Sequence, residues 1–127
     1  MKKTRIAIII VFILTSYQIA HSFTLKKSEE LKTRDRYQAE AAFKVQKNWE
    51  FNQDLVEDEK IEISIEFKIL PDGKVKDFEI IKHSWNKHLD ASAIDAIVKS
   101  IPFDPFPPEI SDPYIEMKLK FTPRGFK

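Results

Sequence analysis

The chain has 127 residues, with 21 Lys and Arg against 20 Asp and Glu and no cysteine. That bounds it to one domain, removes the charge excess a polyanion binder needs, and excludes disulfides, thiol chemistry and cysteine–zinc sites. Its two glycines, Gly73 and Gly125, cannot form a glycine-rich phosphate loop.

The front of the chain reads as an export segment. Met1-Lys2-Lys3-Thr4-Arg5 is a basic start, Ile6 to Leu14 is unbroken apolar sequence, and Ala20-His21-Ser22 places small residues at a cleavage site. Residues 1–22 are therefore expected to be a signal peptide, since the Ile6–Leu14 stretch is shorter than the ~20 residues of a spanning helix. A retained anchor is the alternative. An exported chain without cysteines suits a bacterial periplasm. Residues 23–36 are charged and lack an apolar face, which reads as a linker or a frayed helix start. Fully extended, that segment reaches at most ~50 Å.

The folded domain is expected over 37–127. Tyr37, Ala41, Ala42, Val45 and Trp49 recur at helical spacing, with Glu40, Lys44, Gln46 and Lys47 opposite and Phe43 off the stripe. This helix should stop near Glu50 to Asn52, with Trp49 as a core anchor whose indole N–H needs one acceptor. Ile61, Ile63, Ile65, Phe67 and Ile69 then alternate with polar residues, the period of a half-buried strand. Leu70-Pro71-Asp72-Gly73-Lys74 is a turn, because proline presets φ and glycine supplies a positive one. A second strand over Val75 to Ser84 should turn Phe78 and Ile80 inward, with a bulge or covered outer face at Ile81.

A second helix follows, with Asn86 as N-cap, Asp90 near its positive end and Lys99 near its negative end. Leu89, Ala93, Ile94, Ile97, Val98 and Ile101 form its apolar face. It runs into Ile101-Pro102-Phe103-Asp104-Pro105-Phe106-Pro107-Pro108, where helix cannot continue. This tract is expected to be a strap pinned by Phe103 and Phe106; an extended recognition surface is the alternative. The last strand, Tyr114 to Phe121, buries Ile115, Met117, Leu119 and Phe121. The order α-β-β-α-β with a right-handed crossover predicts an α+β two-layer sandwich, its three-stranded antiparallel-hairpin-based sheet in the order 2-1-3 and both helices on one face.

His83 and His88, with Asp77 or Asp90, are the only cluster suggesting metal or hydrolytic chemistry. They form no spaced ligand motif, so no metal, cofactor or catalytic residue is expected.

Val45-Gln46-Lys47-Asn48-Trp49 before a hairpin, Pro71-Asp72-Gly73-Lys74-Val75 at its turn, and Leu89-Asp90-Ala91-Ser92-Ala93 with Ile97 form an ordered set of motifs. With Pro102 to Pro107 and the closing Met117-Lys118-Leu119-Lys120-Phe121, the chain resembles the TonB/TolA C-terminal domain superfamily, the TolA-like branch most. Ser84-Trp85-Asn86 departs from the Ser-Gly pair common in that family. The resemblance implies a non-enzymatic periplasmic interaction domain that takes partner peptides of envelope proteins as an added β-strand. The edge it implies comprises Tyr114, Ile115, Glu116, Met117, Lys118, Leu119 and Lys120. Glu116, Lys118 and Lys120 equally suit a guarded edge. Such an edge also permits a homodimer. An inner-membrane-anchored, TonB-like energy-transducing component is a second reading, against which stand the short linker and the spacing of Ser16 and His21, five apart rather than four. An inhibitor or structural protein using the proline-aromatic tract is a third.

Overall fold

The computed structural model describes residues 2–126, with side chains from residue 8; Met1 of the expected export segment and Lys127 of the expected domain lie outside them. The elements run α1 (Lys2–Asn48), a 3-10 turn (Gln53–Leu55), β1 (Ile63–Ile69), β2 (Val75–Lys82), α2 (Lys87–Ser100), β3 (Ile115–Thr122) and β4 (Gly125–Phe126). The sheet order is β2-β1-β3-β4. The predicted 2-1-3 arrangement is present, with a fourth, two-residue strand added outside β3.

α1 is a single helix through the segment 23–36. The sequence has no proline or glycine before Pro71, so nothing breaks the backbone ladder. The domain also grips this stretch directly: Ser111 Oγ donates to Glu30 at 3.0 Å, and Arg34 pairs with Asp112 at 3.4 Å. As helix, those fourteen residues span about 21 Å rather than ~50 Å. The helix ends at Asn48, earlier than the periodicity suggested.

The core lies between the helices and one sheet face. Ile63, Ile65, Phe67 and Ile69 of β1 and Ile115, Met117, Leu119 and Phe121 of β3 meet Tyr37, Ala41 and Val45 of α1 and Leu89, Ala93, Ala96 and Ile97 of α2. Trp49 packs edge-on against Phe121, with centroids 5.4 Å apart, and its indole N–H donates to Ser92 Oγ at 3.0 Å. The helix ends are tied at Ser100, which is fully buried; its hydroxyl donates to Ala96 O and accepts from Asn48 Nδ2.

α2 is capped as predicted, the Asn86 side chain accepting from the His88 and Leu89 N–H groups. Its apolar face is narrower than expected, because Val98 and Ile101 are exposed at the C-terminal turn. The strap then leaves α2 and crosses the β1–β2 turn. Phe103 N–H donates to Gly73 O and Phe106 N–H to Pro71 O, both at 2.9 Å. The Phe103 ring is 3% exposed and stacks on Phe67. Phe106 meets Tyr37 edge-on, and the Tyr37 hydroxyl donates to Asp104 O at 2.6 Å.

β2 and its exit hold two irregularities. Phe78 lies on the core face, its ring stacked on Phe67 at 6.4 Å, but it is 41% exposed because β2 is an outer strand. A bulge precedes it: Asp77 takes φ +52 and the pairing shifts between Glu66 and Lys68. Of the bulge and the covered outer face expected as alternatives at Ile81, the bulge is present. At Ser84-Trp85-Asn86 the chain keeps a left-handed turn despite lacking glycine: Trp85 has φ +64 and is 92% exposed. Asp90 holds that turn, accepting from the Ser84 N–H and hydroxyl.

Candidate partner-binding edge

A sheet of this order has two outer edges, and they differ. β2 is interrupted twice, opposite Phe67 and at Ile81. Bulges of this kind twist an edge away from further pairing. β3 pairs with β1 over seven consecutive positions, Ile115↔Ile69 to Phe121↔Ile63, without a shift. Its other side is a straight edge.

The β3–β4 hairpin fixes which backbone groups face outward. Thr122 pairs with Gly125 across the two-residue loop Pro123-Arg124, so the Thr122 N–H and C=O both point away from β1. Backbone direction alternates along a strand. Lys120, Lys118 and Glu116 therefore present their N–H and C=O groups outward, while Leu119, Met117 and Ile115 bond to β1. An independent contact agrees: the Gln38 amide donates to the Glu116 carbonyl at 3.0 Å. On the other side of β1, Leu70 N–H donates to Lys74 O, which keeps the same parity.

The seven residues expected at the edge thus divide. Glu116, Lys118 and Lys120 carry the outward backbone. Ile115, Met117 and Leu119 are buried in the core. Tyr114 precedes β3, its ring under the ammonium groups of Lys68 and Lys76 at 4.7 and 5.6 Å. β4 covers only the far end of the edge, where Phe126 packs on Phe121 with centroids 4.9 Å apart.

The charged side chains on the outer sheet face are drawn inward across the sheet. Lys118 pairs with Glu66 at 2.9 Å, and Glu62 takes both Lys82 at 2.9 Å and Lys120 at 3.5 Å. The hydrogen bond to Glu66 raises the Lys118 pKa, and the one from Lys82 lowers that of Glu62. An added strand would meet the outward groups of Lys118 and the Glu116 N–H, with the Glu116 carbonyl already accepting from Gln38, and lysines paired with Glu66 and Glu62.

His83 Nδ1 lies 3.3 Å from Asp90 Oδ2, and His88 engages the Asn86 cap through its backbone. Among the described residues, no group of three or more His, Cys, Asp or Glu converges.

A family model described as TonB C terminal matches residues 34–121. The chain belongs to the TonB C-terminal family. The match begins on α1 and ends at Phe121, so it takes in β3 up to its last residue but one. No curated protein and no solved structure matches the chain. Membership in the TonB C-terminal family points to a protein-interaction role at the cell envelope.

Proposed function

We propose that this TonB C-terminal domain is a non-enzymatic interaction module on the periplasmic side of the envelope. It takes an extended segment of another envelope protein as a strand along the outer edge of β3. The observation that carries this reading is the difference between the two sheet edges: β2 is bulged twice, whereas β3 is regular over its full pairing with β1. An open ladder supplies affinity through backbone hydrogen bonds, and flanking side chains supply selectivity.

A guarded edge needs charges standing in the path of an incoming strand. Lys118 and Lys120 instead lean toward Glu66 on β1 and Glu62 just before it, which favours acceptance over guarding. The proline-aromatic tract is less suited to recognition, since the amides of Phe103 and Phe106 are spent on the hairpin turn.

The test compares two substitutions at one position. Lys118→Pro removes an outward N–H, which an edge strand tolerates, while Lys118→Ala keeps the N–H and removes the charge. Co-purification from solubilised envelopes should lose the partner with Lys118→Pro, folded by circular dichroism, and keep it with Lys118→Ala. Equal retention by both variants would remove the edge from the account.

A further inference from the structure

We propose that the domain is mounted without a joint on its own membrane span, so that the β3 edge serves segments presented close to that same membrane. The part of this inference that concerns the partner rests on the edge reading above; the mounting does not.

The span comes from the sequence and the exposure together. From Ile6 to Leu25 the chain has twenty residues without Asp, Glu, Lys or Arg, bounded by Arg5 and by Lys26-Lys27. As helix this run is about 30 Å long, the thickness of a bilayer's hydrocarbon core. It is part of the one helix among the described residues long and apolar enough to cross a membrane. Ile8 to Leu14, Tyr17, Ile19 and Phe23 are all exposed, with no protein packed on them. A bilayer covers such a surface on every side, as no single partner helix would.

The absence of a joint comes from where the domain begins to grip. Lys26, the first residue after the uncharged run, already lines a cleft with Pro108, Glu109 and Ser111. Further contacts follow up the helix: Glu30 with Ser111, Arg34 with Asp112, Gln38 with the Glu116 carbonyl, and Lys44 with the Pro102 carbonyl. The partners of Glu30, Arg34 and Gln38 rise with them, so β3 runs parallel to α1. At 1.5 Å per residue from Leu25, the edge begins at Gln38, about 20 Å above the hydrocarbon core, and ends near Asn48 at about 35 Å. A tilt of 40° lowers these heights to about 15 and 27 Å. A partner strand must therefore lie along the membrane normal within that band, which suits an extended segment leading into or out of the same membrane.

The chain lacks cysteine, so single labels can be placed in the full-length protein. A fluorophore on Glu109→Cys, and separately on Lys60→Cys at the far end of the domain, is read in vesicles carrying a headgroup spin-labelled lipid. The mounting predicts several-fold stronger quenching at 109 than at 60. A flexible Gly-Ser spacer inserted between Leu25 and Lys26 should bring the two values together. Equal quenching in the natural chain, or a mature protein in cells that starts at Phe23, overturns it. The partner is addressed in cells with a photo-crosslinking residue at Lys118 and, as control, at Glu79 on β2. Adducts at 118 with a protein of the same membrane support the inference, and adducts with outer-membrane or freely soluble proteins overturn that part. No preference for 118 over 79 overturns the edge reading itself, and the quenching gradient still decides the mounting.

Discussion

Replacing Gly73 with alanine should be among the most damaging single changes to the domain. Gly73 holds φ +85 beneath the strap, and a Cβ there would overlap the Phe103 carbonyl oxygen. Left-handed backbone costs a non-glycine residue about 1–2 kcal/mol. Moving the strap to relieve the overlap breaks the bonds Phe103 N–H to Gly73 O and Phe106 N–H to Pro71 O, at about 1 kcal/mol each. It also lifts the buried Phe103 ring from Phe67, losing part of the roughly 1.5–3 kcal/mol such a side chain gains by burial. The total is about 3–5 kcal/mol, or a Tm lowered by about 15–30 °C for a domain of this size. Thermal and urea unfolding followed by circular dichroism read it directly. Gly73→Asn separates the two causes, because asparagine tolerates the left-handed region but still carries a Cβ. Overlap predicts that Asn is nearly as harmful as Ala. A loss below about 1 kcal/mol for either variant refutes the strap's role in clamping the turn.

Other outcomes rest on single contacts. The Tyr37 pKa is raised to about 12, first by burial and then by the Asp104 charge. The fold favours the neutral phenol, so its contribution is complete below about pH 10 and is lost as pH rises through about 12; Tyr37→Phe should flatten the alkaline limb of a stability–pH curve. Asn86→Ala removes the acceptor for two amides at the start of α2 and should cost about 1 kcal/mol in urea unfolding. The two tryptophans should behave oppositely. Trp49→Ala loses the packing on Phe121 and the bond to Ser92, at about 3–5 kcal/mol. Trp85→Gly relieves a left-handed turn on an exposed side chain and should be neutral or stabilising by up to about 1 kcal/mol once the added freedom of the unfolded chain is subtracted.

Much of this architecture could be read from residue types. The alternation from Ile61 to Ile69, the Pro71-Asp72-Gly73 turn and the Asn86 cap each carry a local physical signal, and the right-handed crossover then fixes β1 in the middle of the sheet. What escaped had weak or conflicting signals. β4 is two residues long, too short for a period; the available hint was Pro123 followed by Gly125 after Thr122, a turn composition. The segment 23–36 lacks an apolar stripe, and its helicity comes from strong helix formers and absent breakers, reinforced by contacts to Ser111 and Asp112. Phe78 faces Phe67 as expected but stays partly exposed, because alternation gives the face of a residue and not how far the neighbouring elements cover an outer strand.

The candidate edge was legible as a stretch and not as a geometry. Side-chain alternation tells which residues of β3 are buried, but not which amides bond to β1. That second parity is set by the Thr122–Gly125 hairpin and the Gln38 contact. It makes Lys118 the position where a proline tests the edge, since the neighbouring Met117 amide bonds to β1.

The measurement that bears most directly on the open edge is residue-resolved amide exchange along β3, first in the free chain and then with the partner recovered by crosslinking at Lys118. In the free chain the Glu116, Lys118 and Lys120 amides should exchange rapidly, between slowly exchanging Ile115, Met117, Leu119 and Phe121. With the partner bound, the three rapid amides should become protected while those of β2 stay unchanged. Slow exchange at all three in the free chain, or no added protection in the complex, would contradict an open strand-accepting edge.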